Sequence, residues 1–529
     1  METTTLHFND TNLLRPLMHD YINQNEATKT LYQFAPEFDA IEKAIDVRKK
    51  FHPNRKVLVE SLQRQYQESG ISDKTVDVNI QKLAKANCYS ITTGHQLNLF
   101  GSTQYFIYKI VEVIKYTQQL KQKYHDYDFV PMFWLASGDH DFEEISFAKI
   151  DGEKYEWNSN ETGPVGRFNP KAVLNVIEKL NDFWATEPVT GTYLKDLFTE
   201  AYSKPTLSQA TRFWTHELFK KYGLVIIDGD DKNLKRLFSN TIRKELFEET
   251  THQEVEKTNA YLNEHKYHIQ VHARPINLFI ITEHGRERIV KLKDRFATIE
   301  SEKSFSFEEM QGLVENRPEV FSPNALMRPM YQETILPNLS YVGGAGEIAY
   351  WLQIKSAFEA HGLFYPQVIL RNSGIWLSRR LGKKLEKMGL KYQDLFTRKE
   401  DLIAEYAENH RSGKRFFQLS ETIELLWEEF QQESETAFQD LKIKTGHTAA
   451  EKIKELKKLR HDLRKIVKSK NDADIITLHQ VFDTIFPNGG FQERVDTFLP
   501  SYMQLGKGYF DALFEHIEPA NHKVLFFEY

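Results

Sequence analysis

The sequence predicts an α/β fold: a Rossmann-like, mostly parallel sheet core with connecting insertions, and an antiparallel α-helical coiled-coil domain after it. Two observations carry this reading. Apolar runs of strand length are followed by helix-period segments at 88–120, 222–262 and 336–373, which is the texture of βαβ units. Beyond about residue 380 the pattern is helical throughout, and two successive stretches carry opposite charge; such stretches fold back on one another.

Residues 1 to about 87 read as polar helices, with apolar residues at helical spacing around Phe38, Ile41 and Ile45 and around Val57, Leu58 and Leu62. CYSITTGHQ (88–96) reads as a buried strand ending in a Gly turn, QYFIYKIVEVIKYTQQL (104–120) as a helix, and DFVPMFWLAS (128–137) as a second strand. Residues 145–170, with the turn-rich ETGPVG, read as an inserted hairpin region, and a helical segment follows. YGLVIIDGDD (222–231) is a third strand before helix through about 262, and 268–292 reads as a hairpin turning at Glu283–Gly285. LPNLSYVGGAGEIAYWLQIKSAFEAHG (336–362) is strand, Gly-rich loop and helix, and FYPQVILRNS (364–373) one more strand.

In the helical region Ile423, Leu426, Phe430, Ala437 and Leu441 keep coiled-coil spacing, as do Ala449, Ile453, Leu456, Leu463 and Ile466 after the loop KTGHT. Ser420–Leu441 holds seven acidic residues and no Lys or Arg, whereas Thr448–Lys470 holds nine basic residues against three acidic. The domains are expected at 1–380 (the core, with insertions at about 145–220 and 260–300), 381–480 (the coiled coil) and 481–529 (a segment docking on the core).

Composition bounds the function. A chain of 529 residues exceeds one core, and 13% aromatic residues supply the bulk to fill several. A net charge of −6 argues against nucleic acid as a partner. A single cysteine, Cys88, excludes an intramolecular disulfide and a thiolate-rich zinc site, and no metal is expected. Cys88 sits in an apolar run, which favours burial over reactivity. The N-terminus shows no signal-peptide pattern and no stretch reaches the ~20 apolar residues of a membrane span, so a cytoplasmic protein is expected.

Three segments stand out chemically. Thr93, Gly94, His95 and Gln96 lie at the end of an expected strand, where open α/β sheets bind ligands and a helix entry favours anions; a helix-entry turn is the competing explanation. Asp139, His140 and Asp141, with Glu143 and Glu144 behind them, are suited to bind a metal (though the sequence shows no partner cluster for one), to orient an imidazole or to accept from an amine, against the alternative of a solvated loop. Gly343, Gly344 and Glu347 lead into a helix bearing Tyr350, and Arg371 and Asn372 end the next strand on the same rim. The Gly spacing matches neither a dinucleotide fingerprint nor a P-loop, and close helix–sheet packing would explain it equally well. Arg371 suits bidentate recognition of carboxylate or phosphate.

Taken together, TTGHQLNLFGSTQYFIYKIVEVIK, PMFWLASGDHDFEEI, TGPVGRF, YVGGAGEIAYWLQIK, PQVILRNS and PNGGFQERV, in this order, resemble the serial motifs of the BshC family, the cysteine-adding enzymes of bacillithiol biosynthesis. The resemblance spans about residues 92–495. It implies a ligase joining L-cysteine to glucosaminyl-malate by an amide bond, insertions laid out as in class I aminoacyl-tRNA synthetases, a coiled coil used for homodimerisation, and an adenine nucleotide, ATP or ADP, on the coiled-coil side. Nucleotide contacts are then expected from Arg460, Arg464 and Lys465 or from Asn488, Gly489, Gly490 and Arg494. His95 departs from the Gln of family members, so the resemblance assigns it to binding. On this basis Thr93–Gln96 and the 343–347 loop hold the acidic substrate or a phosphate, Asp139 and Asp141 hold amines, and His140 is the candidate base. Two rival readings are a tRNA-synthetase-like adenylate-forming protein, disfavoured by the acidic charge and the lack of a KMSKS-like loop, and a non-catalytic coiled-coil scaffold.

Overall fold

The computed structural model describes residues 1–529 except 284, 302, 410–413, 438–441 and 470–472, and it leaves out the side chains of 407–409, 442–445, 464 and 466–469. The chain forms two compact units: Met1–Asn9, Leu13–Ile375 and Phe491–Phe527 make the first, and Asp10–Asn12, Trp376–Gly490 and Glu528–Tyr529 the second.

The first unit is built on a five-stranded sheet whose ladders are all parallel. Its strands lie in the order Gln367–Leu370, Asn338–Gly343, Cys88–His95, Asp128–Leu135, Val225–Asp228. By position along the chain this is 5-4-1-2-3, so the order reverses between Cys88–His95 and Asn338–Gly343. A doubly wound sheet opens a crevice beyond the strand ends at such a reversal. Every residue of Cys88–His95 is buried, and its polar side chains are paired: Ser90 and Thr92 donate to Asn338 Oδ1 and Thr93 to the Val342 carbonyl. Helix Tyr105–Lys123 buries Phe106, Ile107, Ile110, Val111, Val113 and Ile114, and with them two charged residues, Lys109 and Glu112. Cys88 is buried, and desolvation pushes its thiol up to about 12.

Two insertions decorate the sheet. Phe147–Ile150 and Glu153–Glu156 form the expected hairpin, turning through Asp151 and Gly152, both at positive φ, as a two-residue hairpin loop requires. A second, antiparallel sheet of five strands runs in the order Ser304–Phe305, Phe296–Thr298, Gly285–Lys291, Leu278–Thr282, Phe321–Pro323.

The structure corrects several local expectations. The N-terminal region is not helical from its start but opens with strand Glu2–His7. The hairpin expected over 268–292 pairs only Leu278–Thr282 with Gly285–Lys291. Upstream, the N–H groups of Gln270 and Val271 donate to Gln353 Oε1 at 2.9 and 3.1 Å, and that of Arg274 to Asn277 Oδ1 at 3.1 Å, so side chains satisfy the backbone that a strand partner would. The C-terminal segment is less turn-rich than expected, containing helices Leu499–Leu505 and Lys507–His516.

In the second unit, helices Lys414–Ala437 and Lys442–Ser469 lie antiparallel, with Arg460 on Glu424 at 2.9 Å and Lys457 on Glu424 at 3.0 Å. The sequence KTGHT is not the connecting loop but the first part of the second helix. Gly446 lies within this helix beside Gln431, whose Nε2 an added Cβ would meet at 3.4 Å, an ordinary van der Waals contact. Residues 438–441, between the helices, fall outside the described residues.

Candidate functional site

A cleft of about 600 Å³ opens in the first unit at the strand-order reversal, lined by Gly94–Gln96 from one side of it and by Gly344, Gly346, Glu347 and Tyr350 from the other. Asp139, His140, Trp134, Tyr331 and Tyr341 also line it, as does Phe279 of the inserted sheet. Six cationic side chains, Lys109, Lys235, Arg286, Arg328, Arg371 and Arg494, face it against three carboxylates, Asp139, Asp230 and Glu347. Lys109, Lys235 and Arg371 are paired with Glu347, Asp230 and Glu493, and the cations that remain leave the cleft net positive inside an acidic protein, a charge suited to an anion.

The cleft floor is an ion pair with a hydrogen-bonded frame. Lys109 donates to Glu347 Oε2 and to the Gly94 carbonyl, both at 2.6 Å. Glu347 also accepts from the Tyr341 hydroxyl at 2.9 Å and from Gly344 N–H at 2.9 Å. Burial alone would raise the Glu347 carboxyl, but the Lys109 charge and these donors outweigh it and hold it down to about 2. Glu347 thus enters the cleft as a fixed carboxylate that pins Lys109. Arg328 lies over the rings of Tyr341 and Trp134 and shares a hydrogen bond with Tyr350. Its Nη2, like Nε of Arg371, is buried with no partner among the described residues. A buried N–H without a partner is costly, and both side chains line the cleft, where an anion's oxygens are suited to accept from them.

At the mouth, Gln96 Nε2 donates to Asp139 Oδ2 at 3.0 Å and to Glu144 Oε2 at 2.8 Å. Burial would raise the Asp139 carboxyl; hydrogen bonds from His140 and Gln96 and the Arg286 charge instead hold it well below the usual range. Arg286 places Nη1 2.8 Å from His140 Nδ1. His95 is buried with Nδ1 2.9 Å from the Gln96 carbonyl, and burial next to Lys109 lowers it to about 4. It therefore serves as a neutral wall residue at neutral pH.

The expected site residues do not all converge. Gly94, His95, Gln96, Asp139, His140, Gly344, Glu347, Tyr350, Arg371 and Arg494 line the cleft. Thr93 does not: it is buried, with its hydroxyl on the Val342 carbonyl at 2.7 Å. Asp141 is exposed and caps the short helix Phe142–Ile145 through Glu144 N–H at 3.4 Å. Gly343 is a packing position, where a Cβ would meet Ile348 Cδ1 at 3.0 Å and Tyr341 Cε1 at 3.1 Å. Asn372 holds the C-terminal segment, donating to the Glu518 carbonyl at 2.8 Å and accepting from Lys523 N–H at 3.0 Å. Of the expected nucleotide contacts, Arg494 belongs to the first unit and Arg460, Lys465, Asn488, Gly489 and Gly490 to the second; the side chain of Arg464 lies outside the described residues.

Lys109, Arg286, Arg328 and Lys235 escaped the sequence reading. Lys109 left a trace there, as a lone cation in the middle of the apolar helix FIYKIVEVI. The others sit in segments whose spacing gives no hint of the cleft.

A family model described as "Bacillithiol biosynthesis BshC, N-terminal Rossmann-like domain" matches residues 1–372, and one described as "Bacillithiol biosynthesis BshC, C-terminal coiled-coil domain" matches residues 375–527. The chain is 39% identical over 528 residues to a protein of Flavobacterium johnsoniae named "Putative cysteine ligase BshC", covering 98% of each chain. It is 36% identical over 543 residues to the protein of that name from Christiangramia forsetii, covering 100% of this chain and 99% of the relative. A solved chain from Campylobacter jejuni described as a "putative arginyl t-RNA synthetase" aligns at 10% identity and a TM-score of 0.23, over 82% of this chain and 94% of that one; a score so low carries no argument.

Proposed function

The chain belongs to the BshC family, and from that premise we propose that it is a ligase joining the carboxyl group of L-cysteine to the amine of glucosaminyl-malate through an amide bond, the last step of bacillithiol biosynthesis. The observation that carries this reading is the cleft: six cations against three carboxylates at the strand-order reversal. Malate brings two carboxylates, and the unpartnered Arg328 Nη2 and Arg371 Nε are two donors waiting for oxygens. Asp139, held ionised at the mouth, suits the substrate amine.

A carboxylate does not condense with an amine at neutral pH without activation, so cysteine is activated by a nucleoside triphosphate or arrives activated. ATP or ADP is the proposed nucleotide. Arg494 fits a phosphate best among the candidate contacts, being exposed beside Tyr105 with no ion-pair partner among the described residues, whereas Arg460 is committed to Glu424 and Glu421. Calorimetry with ATP and ADP tests this, and no heat at millimolar nucleotide would favour pre-activated cysteine. Among the described residues no helix is long and apolar enough to cross a membrane, and a cytoplasmic enzyme is the reading we adopt. A homodimer is proposed through helix Lys414–Ala437, which exposes an apolar stripe.

The deciding experiment is mass spectrometry of cell extracts with and without the gene. Bacillithiol should vanish on deletion, with glucosaminyl-malate accumulating, and return on complementation. Unchanged bacillithiol would overturn the assignment.

A further inference from the structure

Arg286 comes from the inserted antiparallel sheet, yet it is among the most tightly held side chains at the cleft. Its Nε donates to Ser322 Oγ at 3.0 Å and its Nη2 to the Pro323 carbonyl at 2.7 Å. The guanidinium lies 3.9 Å from the centre of the Phe279 ring, and the side chain is 5% exposed. Burial lowers its pKa to about 10, with Asp139 opposing, so it is a cation at neutral pH. The remaining Nη1 reaches His140 Nδ1 at 2.8 Å, and the imidazole packs on the same Phe279 ring.

A guanidinium has five N–H donors and no acceptor. A hydrogen bond between it and Nδ1 therefore requires Nδ1 to accept, and the neutral ring then carries its proton on Nε2. One neighbouring group opposes this. Asp139 Oδ1 is 3.5 Å from the same Nδ1 and would favour a proton there, since an imidazole hydrogen bond is among the causes that hold the Asp139 carboxyl low, but that distance is long for a hydrogen bond. Distance and prior commitment decide the contest. Asp139 Oδ1 already accepts from the His140 backbone N–H at 2.8 Å, its other oxygen from Gln96 at 3.0 Å, and the Arg286 contact to Nδ1 is shorter by 0.7 Å, the difference between 3.5 and 2.8 Å. A proton on Nδ1 would also face the Arg286 N–H head on.

We propose that Arg286 is a positioning residue that fixes the His140 tautomer, so that His140 meets the substrate as an Nε2–H hydrogen-bond donor and not as a proton acceptor. The idea rests on the ligase reading only for what is donated to: a carboxyl, acyl or phosphoryl oxygen. An imidazole nitrogen that takes a proton must be bare, and the bare nitrogen here is the one occupied by Arg286. This revises the role of base that the position of His140 in the sequence suggests.

Two measurements on the full-length protein test it. Nitrogen NMR of protein labelled with 15N-histidine, with the His140 signals identified by their loss in His140→Ala, should show Nε2 protonated and Nδ1 bare at neutral pH. Arg286→Met should then move His140 towards the opposite tautomer or a mixture. A wild-type spectrum with the proton on Nδ1 overturns the proposal whether or not the arginine variant folds. The second measurement compares turnover in complemented cells. A glutamine amide can donate from nearly the Nε2 position but cannot act as a base, so His140→Gln should keep on the order of tenfold more activity than His140→Ala. Equal loss in both variants means that His140 is a base and refutes the donor role. A wild-type protein that makes no bacillithiol would end the ligase reading, while the NMR result would still decide the tautomer.

Discussion

Lys109 Nζ lies 2.6 Å from Glu347 Oε2, with the lysine side chain 2% exposed and the glutamate 28%. The pair joins the second turn of helix Tyr105–Lys123 to the first turn of helix Ala345–Gln353, the two helices that follow the strands on either side of the order reversal. It thereby sets the width of the crevice between them. The Glu347 carboxyl is held at about 2 against an ordinary 4.5, so its stabilising contribution is complete above pH 4.5 and is lost as pH falls towards 2. Comparison of wild type with Glu347→Gln by urea denaturation should show a gap of ~2 kcal/mol or more at pH 7 that narrows below pH 4.5. A gap unchanged from pH 6 to pH 3 would contradict this account.

Arg371 and Glu493 form a second buried pair, with exposures of 2% and 1% and two parallel contacts of 2.8 and 2.6 Å. Glu493 also accepts from Ser373 Oγ at 3.1 Å and Gly374 N–H at 3.2 Å, so one carboxylate anchors the segment beginning at Phe491 to the strand end. Arg371→Met leaves that carboxylate buried and short of its counter-ion, which should cost ~3 kcal/mol or more. The double variant Arg371→Met/Glu493→Leu should recover a large part of it. Single variants within ~0.5 kcal/mol of wild type would show that the pair holds nothing.

The sheet was legible because its strands are buried on both faces and so appear as apolar runs: Phe129–Leu135, Val225–Ile227 and Val368–Leu370 need no periodicity to be found. The cleft was legible where its residues sit at strand ends, as at Gly94–Gln96 and Asp139–His140, and in the Gly-rich entry to helix Ala345–Gln353, as at Gly344, Glu347 and Tyr350. Arg286 and Arg328 were hidden because their role depends on which side chains an insertion folds over the sheet, and spacing along the chain says nothing about that. Thr93 and Asn372 misled for the opposite reason: polar residues at strand ends also close the backbone hydrogen bonds of the fold, as both do here.

The neighbours His140 and Asp141 should separate cleanly in function. His140 lines the cleft, whereas Asp141 is exposed and caps a four-residue helix. His140→Ala should lower bacillithiol production on the order of a hundredfold, as removal of a donor to a developing charge does, while the melting temperature stays within a few degrees. Asp141→Asn, which keeps a capping oxygen, should stay near wild type in both. Loss of bacillithiol in Asp141→Asn would place this carboxylate in the site after all. A drop in stability of His140→Ala would make its role structural.

Phe416, Leu419, Ile423, Leu426 and Phe430 follow one another at intervals of three and four along helix Lys414–Ala437, each between 40% and 56% exposed. The antiparallel partner helix is engaged through Glu421 and Glu424, which meet Arg460 and Lys457, and these five apolar side chains remain exposed among the described residues. A stripe of that spacing is the seam of a coiled coil, and large contiguous exposed apolar surfaces mark association sites. A second copy of this helix offers the same stripe, and a self-complementary patch closes into a twofold dimer. Light scattering should therefore give wild-type protein a mass near twice 62.1 kDa. Ile423→Glu/Leu426→Glu puts like charges into the seam and should yield monomer, with far-ultraviolet circular dichroism unchanged because the substituted positions are exposed. A wild-type monomer would leave the stripe to a different partner, and a dimer that survives the double substitution would move the contact elsewhere on the chain.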